Sequence, residues 1–316
     1  MPPTKQDCQT MPLIVTGSIG IDTIETPFDR RERILGGSCS YFCAAASFFT
    51  KVRMVAAVGE DFHENYQKIF ARFPNVDIAG LELREGSKTF SWGGRYFDDW
   101  NQRETVFTEL GVLAEHPPKA PAAFSDSKFI FLANTHPSVQ YEMLHAFPDR
   151  VFSVADSMNL WIETAQTELR KLLRDIDGLI INDEEAHMLT GIRNPISAGR
   201  KIIETMGPMF VVIKKGEHGC VLVHDQGVAM LPAFPVESVV DPTGAGDSFA
   251  GGMMGHLAAA HSKDMNVSIG SIQQALAHGT VIASFAIESF GLDRLAELNR
   301  EEVAKRYSDF QEMVKV

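Results

Sequence analysis

The sequence predicts an α/β fold, a mostly parallel sheet covered by helices on both faces. Two observations carry that prediction. Short apolar runs closed by turn residues alternate with longer helix-prone segments along most of the chain, as parallel strands with crossover helices require. The length of 316 residues, 45% of them hydrophobic, is ample for a sizeable core, built as one large domain with insertions or as two ordinary ones.

The elements follow in order. Leu13–Ile19 is an apolar run closed by Gly20 and reads as a buried first strand. Ile21–Ile34 is mixed, with Pro27 and a charge cluster at Asp29–Arg33. After Gly36-Gly37, Ser38 is placed to cap a helix running through Phe49. Arg53–Val58 is a strand ending at Gly59, and Phe62–Phe73 a helix. Between Lys88 and Leu110, strand-formers such as Thr89, Phe90, Trp92, Tyr96, Phe97 and Val106 flank the polar stretch Asp98–Arg103. A hairpin is expected there, outside the main layer order. Alternation then resumes, with strands at Phe129–Leu132, Val151–Val154, Gly178–Ile181 and Phe210–Ile213. Helices are expected at Ser138–Ala146, Thr164–Arg174, Glu184–Leu189 and Ser197–Met206. Val221–Val223 and Val228–Leu231 flank Asp225-Gln226-Gly227 as a late antiparallel hairpin; from Ala245 the chain is mostly helical, ending in Arg300–Lys315.

Composition narrows the function classes. A net charge of −12 without a Lys/Arg run argues against a nucleic-acid partner, whose phosphates demand a positive face. No apolar run reaches the ~18 residues of a membrane span, and Met1–Thr10 lacks a basic-then-apolar signal pattern. A cytoplasmic protein with no membrane partner is expected. Cys8, Cys39, Cys43 and Cys220 are too sparse for a disulfide framework and lack zinc spacing.

The most informative stretch is Asp241-Pro242-Thr243-Gly244-Ala245-Gly246-Asp247-Ser248-Phe249-Ala250-Gly251-Gly252. Two glycines flank an alanine just before an apolar, helix-prone run. Small residues let backbone amides approach an anion, and the helix start adds its positive dipole end. Asp247 lies in the same turn, where the dipole favours its ionised form, so it can accept a proton. An anion-binding turn beside a proton acceptor suits phosphoryl transfer to an alcohol. The plainer alternative is a helix cap with Asp247 capping and the glycines easing packing. The dinucleotide fingerprint fails because Phe249 replaces its third glycine, and no Gly-x4-Gly-Lys-Ser/Thr occurs.

The twelve-residue string Asp241–Gly252 resembles the C-terminal signature of the ribokinase-like (PfkB) carbohydrate kinases, every defining position matched. Weaker features fall in the family's order: Asp22 in Gly17-Ser18-Ile19-Gly20-Ile21-Asp22, the di-glycine Gly36-Gly37, Val58-Gly59-Glu60-Asp61, Asn182-Asp183-Glu184-Glu185 as Asn-x-x-Glu, and the turn Lys215-Gly216-Glu217-His218-Gly219. The resemblance spans about Leu13 to Gly291. It implies a single three-layer α/β/α domain of ribokinase-like fold, with insertions at about 21–35 and 88–110 forming a small β-sheet lid.

The same resemblance implies the roles. Asp247 would be the base, and the amides of Gly244, Ala245 and Gly246 the anion hole. Asn182 and Glu185 would organise Mg²⁺ through water, since that ion sheds its hydration reluctantly. Asp22, Gly36 and Gly37 would contact the acceptor. Lys215, Gly216, Gly219 and Thr243 would shape the ATP site, and Asp241 with Thr243 match positions that hold a monovalent cation, K⁺, in some relatives. Tyr41 falls where ribokinases carry a hydroxyl-reading Asn, which admits a bulkier acceptor. Arg95, Asn134 and His136 are further acceptor contacts or structural residues, His136 not as a base. Trp92, Trp100 and Phe97 are expected to pack the lid's core. Asp156-Ser157-Met158-Asn159-Leu160-Trp161 resembles the Asp-x-Asn segment of some sugar-acid and fructose kinases, without their following Arg. The implied activity is ATP- and Mg²⁺-dependent phosphorylation of a hydroxymethyl group on a sugar or sugar derivative. A nucleoside is the alternative acceptor, and a non-catalytic sugar or nucleotide sensor the alternative from another class. A homodimer through exposed lid strands is a further candidate.

Overall fold

A computed structural model describes residues 12–261 and 267–315. In chain order its strands are β1 (Leu13–Thr16), β2 (Gly20–Glu25), β3 (Arg30–Gly36), β4 (Val52–Gly59), β5 (Val76–Arg84), β6 (Ser91–Tyr96), β7 (Arg103–Glu109), β8 (Phe129–Leu132), β9 (Phe152–Asp156), β10 (Gly178–Asn182), β11 (Phe210–Lys214), β12 (Cys220–His224) and β13 (Gly227–Leu231). The helices are α1 (Ser38–Ala46), α2 (Glu64–Phe70), α3 (Pro137–His145), α4 (Asn159–Thr164), α5 (Gln166–Leu173), α6 (Asp183–Thr190), α7 (Pro195–Met206), α8 (Ala245–Ala260), α9 (Ile269–Ala286), α10 (Asp293–Glu297) and α11 (Arg300–Met313).

Nine strands form the main sheet in the order β13-β12-β11-β10-β9-β8-β1-β4-β5. Pairing is parallel from β11 to β5, and the β11–β12 and β12–β13 pairs are antiparallel. The central strands β1, β8, β9, β10 and β11 are mostly apolar because both faces are covered, the polar exceptions being Ser153 and the strand-end residues Thr16, Asp156, Asn182 and Lys214. Alternate residues go to opposite sides: Phe129, Phe131, Phe210 and Val212 pack with α1, α8 and α9 residues such as Phe42, Met253 and Ile282. Ile130, Leu132, Val211 and Ile213 pack with Leu144, Leu172 and Ile202 of α3, α5 and α7. The α/β/α layering expected of the sequence is thus formed.

The small second sheet, β3-β2-β6-β7, is the lid. Its inner face buries Ile24 and Tyr96 with Phe290, and Trp92, Trp100, Ile34 and Val240 pack around them. Trp92 and Trp100 therefore pack as expected, but Phe97 is 44% exposed and belongs to no core.

Local expectations are corrected in several places. Gly37, not Ser38, is the N-cap of α1; the Ser38 hydroxyl instead bonds Ser18 and donates to the carbonyl of Asn134. The helix expected over Thr164–Arg174 begins earlier and is two, broken at Ala165 (φ −132°, ψ 40°). The expected Phe62–Phe73 helix is only Glu64–Phe70. Strand β5 was not anticipated, although Val76-Asp77-Ile78-Ala79-Gly80-Leu81-Glu82-Leu83 carries the apolar–polar alternation of a sheet edge.

Candidate active site

The site collects at the carboxyl ends of the main strands, where ligands of open α/β sheets bind. Asp156 ends β9, Asn182 ends β10 and Lys214 ends β11, with Asn182 and Lys214 directly paired across the ladder. The segment Asp241–Asp247 closes over them. Gly244 is the N-cap of α8 with φ 75°, a left-handed conformation that costs glycine little. A Cβ there would also stand 2.3 Å from the Tyr41 ring. The Ala245 amide is committed to the Pro242 carbonyl at 3.2 Å. Among the described residues, the amides of Gly244 and Gly246 have no hydrogen-bond partner. Two of the three expected anion-hole donors are thus free at the positive end of a 16-residue helix.

Asp247 lies in the first turn of α8. Burial pushes its carboxyl up to about 6, opposed by the charges of Lys214 and Arg103. Glu185 is buried and raised for the same first reason, again opposed by Lys214. It is locked with Asn182 in a capping box: the Asn182 amide donates to Glu185 Oε2 at 2.8 Å, and the Glu185 amide donates to Asn182 Oδ1 at 2.7 Å. Asp156 is buried and held well above the usual carboxylate range by desolvation and then by the Asp247 charge; its Oδ1 has no partner.

These oxygen donors fit Mg²⁺ chemically. Among the described residues no group of three or more His, Cys, Asp or Glu side chains could enclose a metal. An ion here is therefore suited to retain water and lean on phosphate oxygens, as Mg²⁺ prefers. Asp241 is fully buried, takes the Thr243 amide on Oδ1 at 2.9 Å and leaves Oδ2 unpartnered. Burial pushes it up to about 6.

Asp22, expected to contact the acceptor, sits in a glycine cradle: a Cβ on Gly36 would fall 1.9 Å from its Oδ2. Burial raises Asp22 to about 7 against backbone hydrogen bonds from Trp92 and Gly37. Tyr41 is 1% exposed and its hydroxyl is unpartnered; burial and then the charges of Asp241 and Asp22 push the phenol up.

Other candidates are engaged elsewhere. Arg95 pairs with Glu25 and Glu104 within the lid. The Asn134 side chain accepts from Trp161 Nε1 at 3.0 Å and donates to Met158 Sδ. His136 is the N-cap of α3. Gly216 and Gly219 bracket the β11–β12 turn, where the Lys215 amide donates to Gly219. That turn meets the lid tip, Asn101 Nδ2 donating to Glu217 Oε2 at 2.9 Å. Thr243 also donates to Tyr96 of β6 at 3.0 Å, so the lid touches both the anion turn and the neighbouring hairpin.

Two cations escaped the sequence reading. Lys214 adjoins the expected Lys215, and its signal in the sequence is a lysine ending the otherwise apolar strand Phe210-Val211-Val212-Ile213. Arg103, at the start of β7, reaches Asp247 only through the folding of the lid.

Known proteins resemble this chain along most of its length. The pattern of the pfkB family carbohydrate kinases matches residues 22–297. The cytidine kinase of Thermococcus kodakarensis is 32% identical over 252 residues, covering 77% of this chain and 87% of that protein. Among solved structures, the nucleoside kinase of Burkholderia thailandensis in complex with inosine superposes with a TM-score of 0.73 at 20% identity, over 94% of this chain and 98% of that one. Ribokinase from Cryptococcus neoformans var. grubii in complex with ADP gives 0.75 at 20% identity, over 94% and 99%. The chain belongs to the pfkB family of carbohydrate kinases. It is an ATP-dependent carbohydrate or nucleoside kinase of ribokinase-like fold.

Proposed function

We propose that this chain transfers the terminal phosphoryl group of ATP to the hydroxymethyl group of a nucleoside. The observation that carries the chemistry is the turn Gly244–Asp247, where two free amides and a base share the start of one helix. Asp247 takes the acceptor's hydroxyl proton as that oxygen bonds to phosphorus. The bond from phosphorus to the bridging oxygen breaks, and its electron pair leaves with ADP. The Gly244 and Gly246 amides hold the charge that develops on the moving group. Mg²⁺, when bound, supplies neutralisation of the phosphate oxygens; Asn182, Glu185 and Asp156 would hold it, largely through water. Asp22 anchors the acceptor's other hydroxyls, and Asp241 with Thr243 would seat a monovalent cation behind the turn.

A nucleoside is favoured over a free sugar on two grounds. The cytidine kinase relative matches over most of its length, and Tyr41 presents a single phenol where ribokinases carry a forked amide. An ADP-coupled screen of cytidine, adenosine, inosine, ribose, fructose and 2-keto-3-deoxygluconate, with and without K⁺, tests this. Turnover is expected to be highest with a nucleoside. Activity on sugars alone would reassign the acceptor class, and ligand binding without ADP release under any acceptor would leave a sensor.

A further inference from the structure

We propose that Lys214 is a catalytic residue whose ammonium grips the phosphoryl group as it passes from ATP to the acceptor. This rests on the kinase reading above and adds to it a residue outside the glycine turn and the Asn-x-x-Glu segment. The side chain leaves the end of β11 and crosses to the first turn of α8, where a Cβ on Gly246 would stand only 2.7 Å from its Nζ. The ammonium therefore lies against the turn whose Gly246 amide is free. Glycine at 246 leaves it that room.

The ammonium is also uncommitted. Its charge is felt by Asp247, Asp156 and Glu185, lowering the proton affinity of each. Yet the Lys214 ammonium forms no salt bridge or hydrogen bond among the described residues. An ammonium carries three donors, and a half-buried cation held beside three carboxylates without pairing to any is poised for a further anion. The site needs such a charge. Asp22, Asp156, Glu185, Asp241 and Asp247 all converge here, and a polyphosphate entering among them meets repulsion. Arg103 is the other cation acting on Asp247, but it is exposed and belongs to the lid, whereas Lys214 is half-buried at the end of a strand of the main sheet. The lysine forms and breaks no bond; it neutralises charge on the phosphoryl oxygens in flight.

The test compares the full-length wild type with Lys214→Met and Lys214→Gln, each checked for folding by thermal melting. Lys214→Gln keeps a polar side chain but removes the charge. Lys214→Met is expected to lower kcat about 10²–10³-fold with little change in acceptor KM. By calorimetry, both variants are expected to bind a non-hydrolysable ATP analogue about tenfold or more weaker while ADP affinity changes less than about threefold, since ADP lacks the gripped group. An unchanged kcat in Lys214→Met, or equal weakening of ADP and the analogue, would show that the lysine only offsets the carboxylates, and the proposal falls. A wild type inactive on every acceptor would sink the kinase reading by itself, and the analogue-to-ADP ratio would still decide Lys214. If Lys214→Met does not fold, the same ratio in Lys214→Gln decides it.

Discussion

Asp247, the proposed base, can accept a proton only while ionised, and burial pushes its carboxyl up to about 6. The kcat/KM of the free enzyme is therefore expected to rise with pH through about 6 and level off above it, reported by an ADP-coupled assay across pH. Asp247→Asn should cost roughly 10²–10⁴ in kcat with ATP binding spared; near-normal turnover in that variant would remove the assigned role. Much of this residue-level picture was readable in advance. Asp247, Gly244 and Gly246 stand in one contiguous string, so backbone geometry alone brings them together. Lys214 and Arg103 were not readable, because they reach Asp247 from β11 and β7, segments distant in sequence, and their chemistry depends on where long side chains end.

At the scale of elements, the capping box that starts α6 does two jobs: it closes the helix and pins Glu185 at the site floor. Asn182→Ala is expected to lower stability by about 1 kcal/mol, as loss of an N-cap does, visible as a shifted urea midpoint. The lid is tied to the anion turn by the Thr243–Tyr96 hydrogen bond. Tyr96→Phe removes that tie and should cost about 0.5–1.5 kcal/mol. It should also raise acceptor-independent ATP hydrolysis, because a looser lid admits water. An unchanged hydrolysis rate would mean that the lid is held closed by its apolar contacts with Phe290 and Val240 alone. The break between α4 and α5 is not legible in the sequence because Ala165, buried and non-helical in the structure, is itself a good helix former.

For the whole molecule, the concentration of buried acids ties stability to pH. Burial raises Asp22 to about 7 and both Asp241 and Asp247 to about 6, from a usual value of 3.8. Each binds its proton more tightly folded than unfolded. The resulting stability is full below the unfolded value and is lost as pH rises through the folded one. The melting temperature of the nucleotide-free wild type, measured relative to Asp22→Asn, is accordingly expected to fall between about pH 4 and pH 7. A difference that stays flat over that range would mean that Asp22 is not desolvated in solution.

By itself the sequence determined the layered α/β architecture, a hairpin outside the main layers and the turn that carries the proposed base. These follow from local patterning: apolar period, strand-formers around a polar loop, and glycines before a helix. Tertiary structure alone decided which amides stay free, which carboxylates are desolvated and which cation stands among them. Those properties are set by what surrounds a group in space, and strand order brings β9, β10 and β11 side by side from places scattered along the chain.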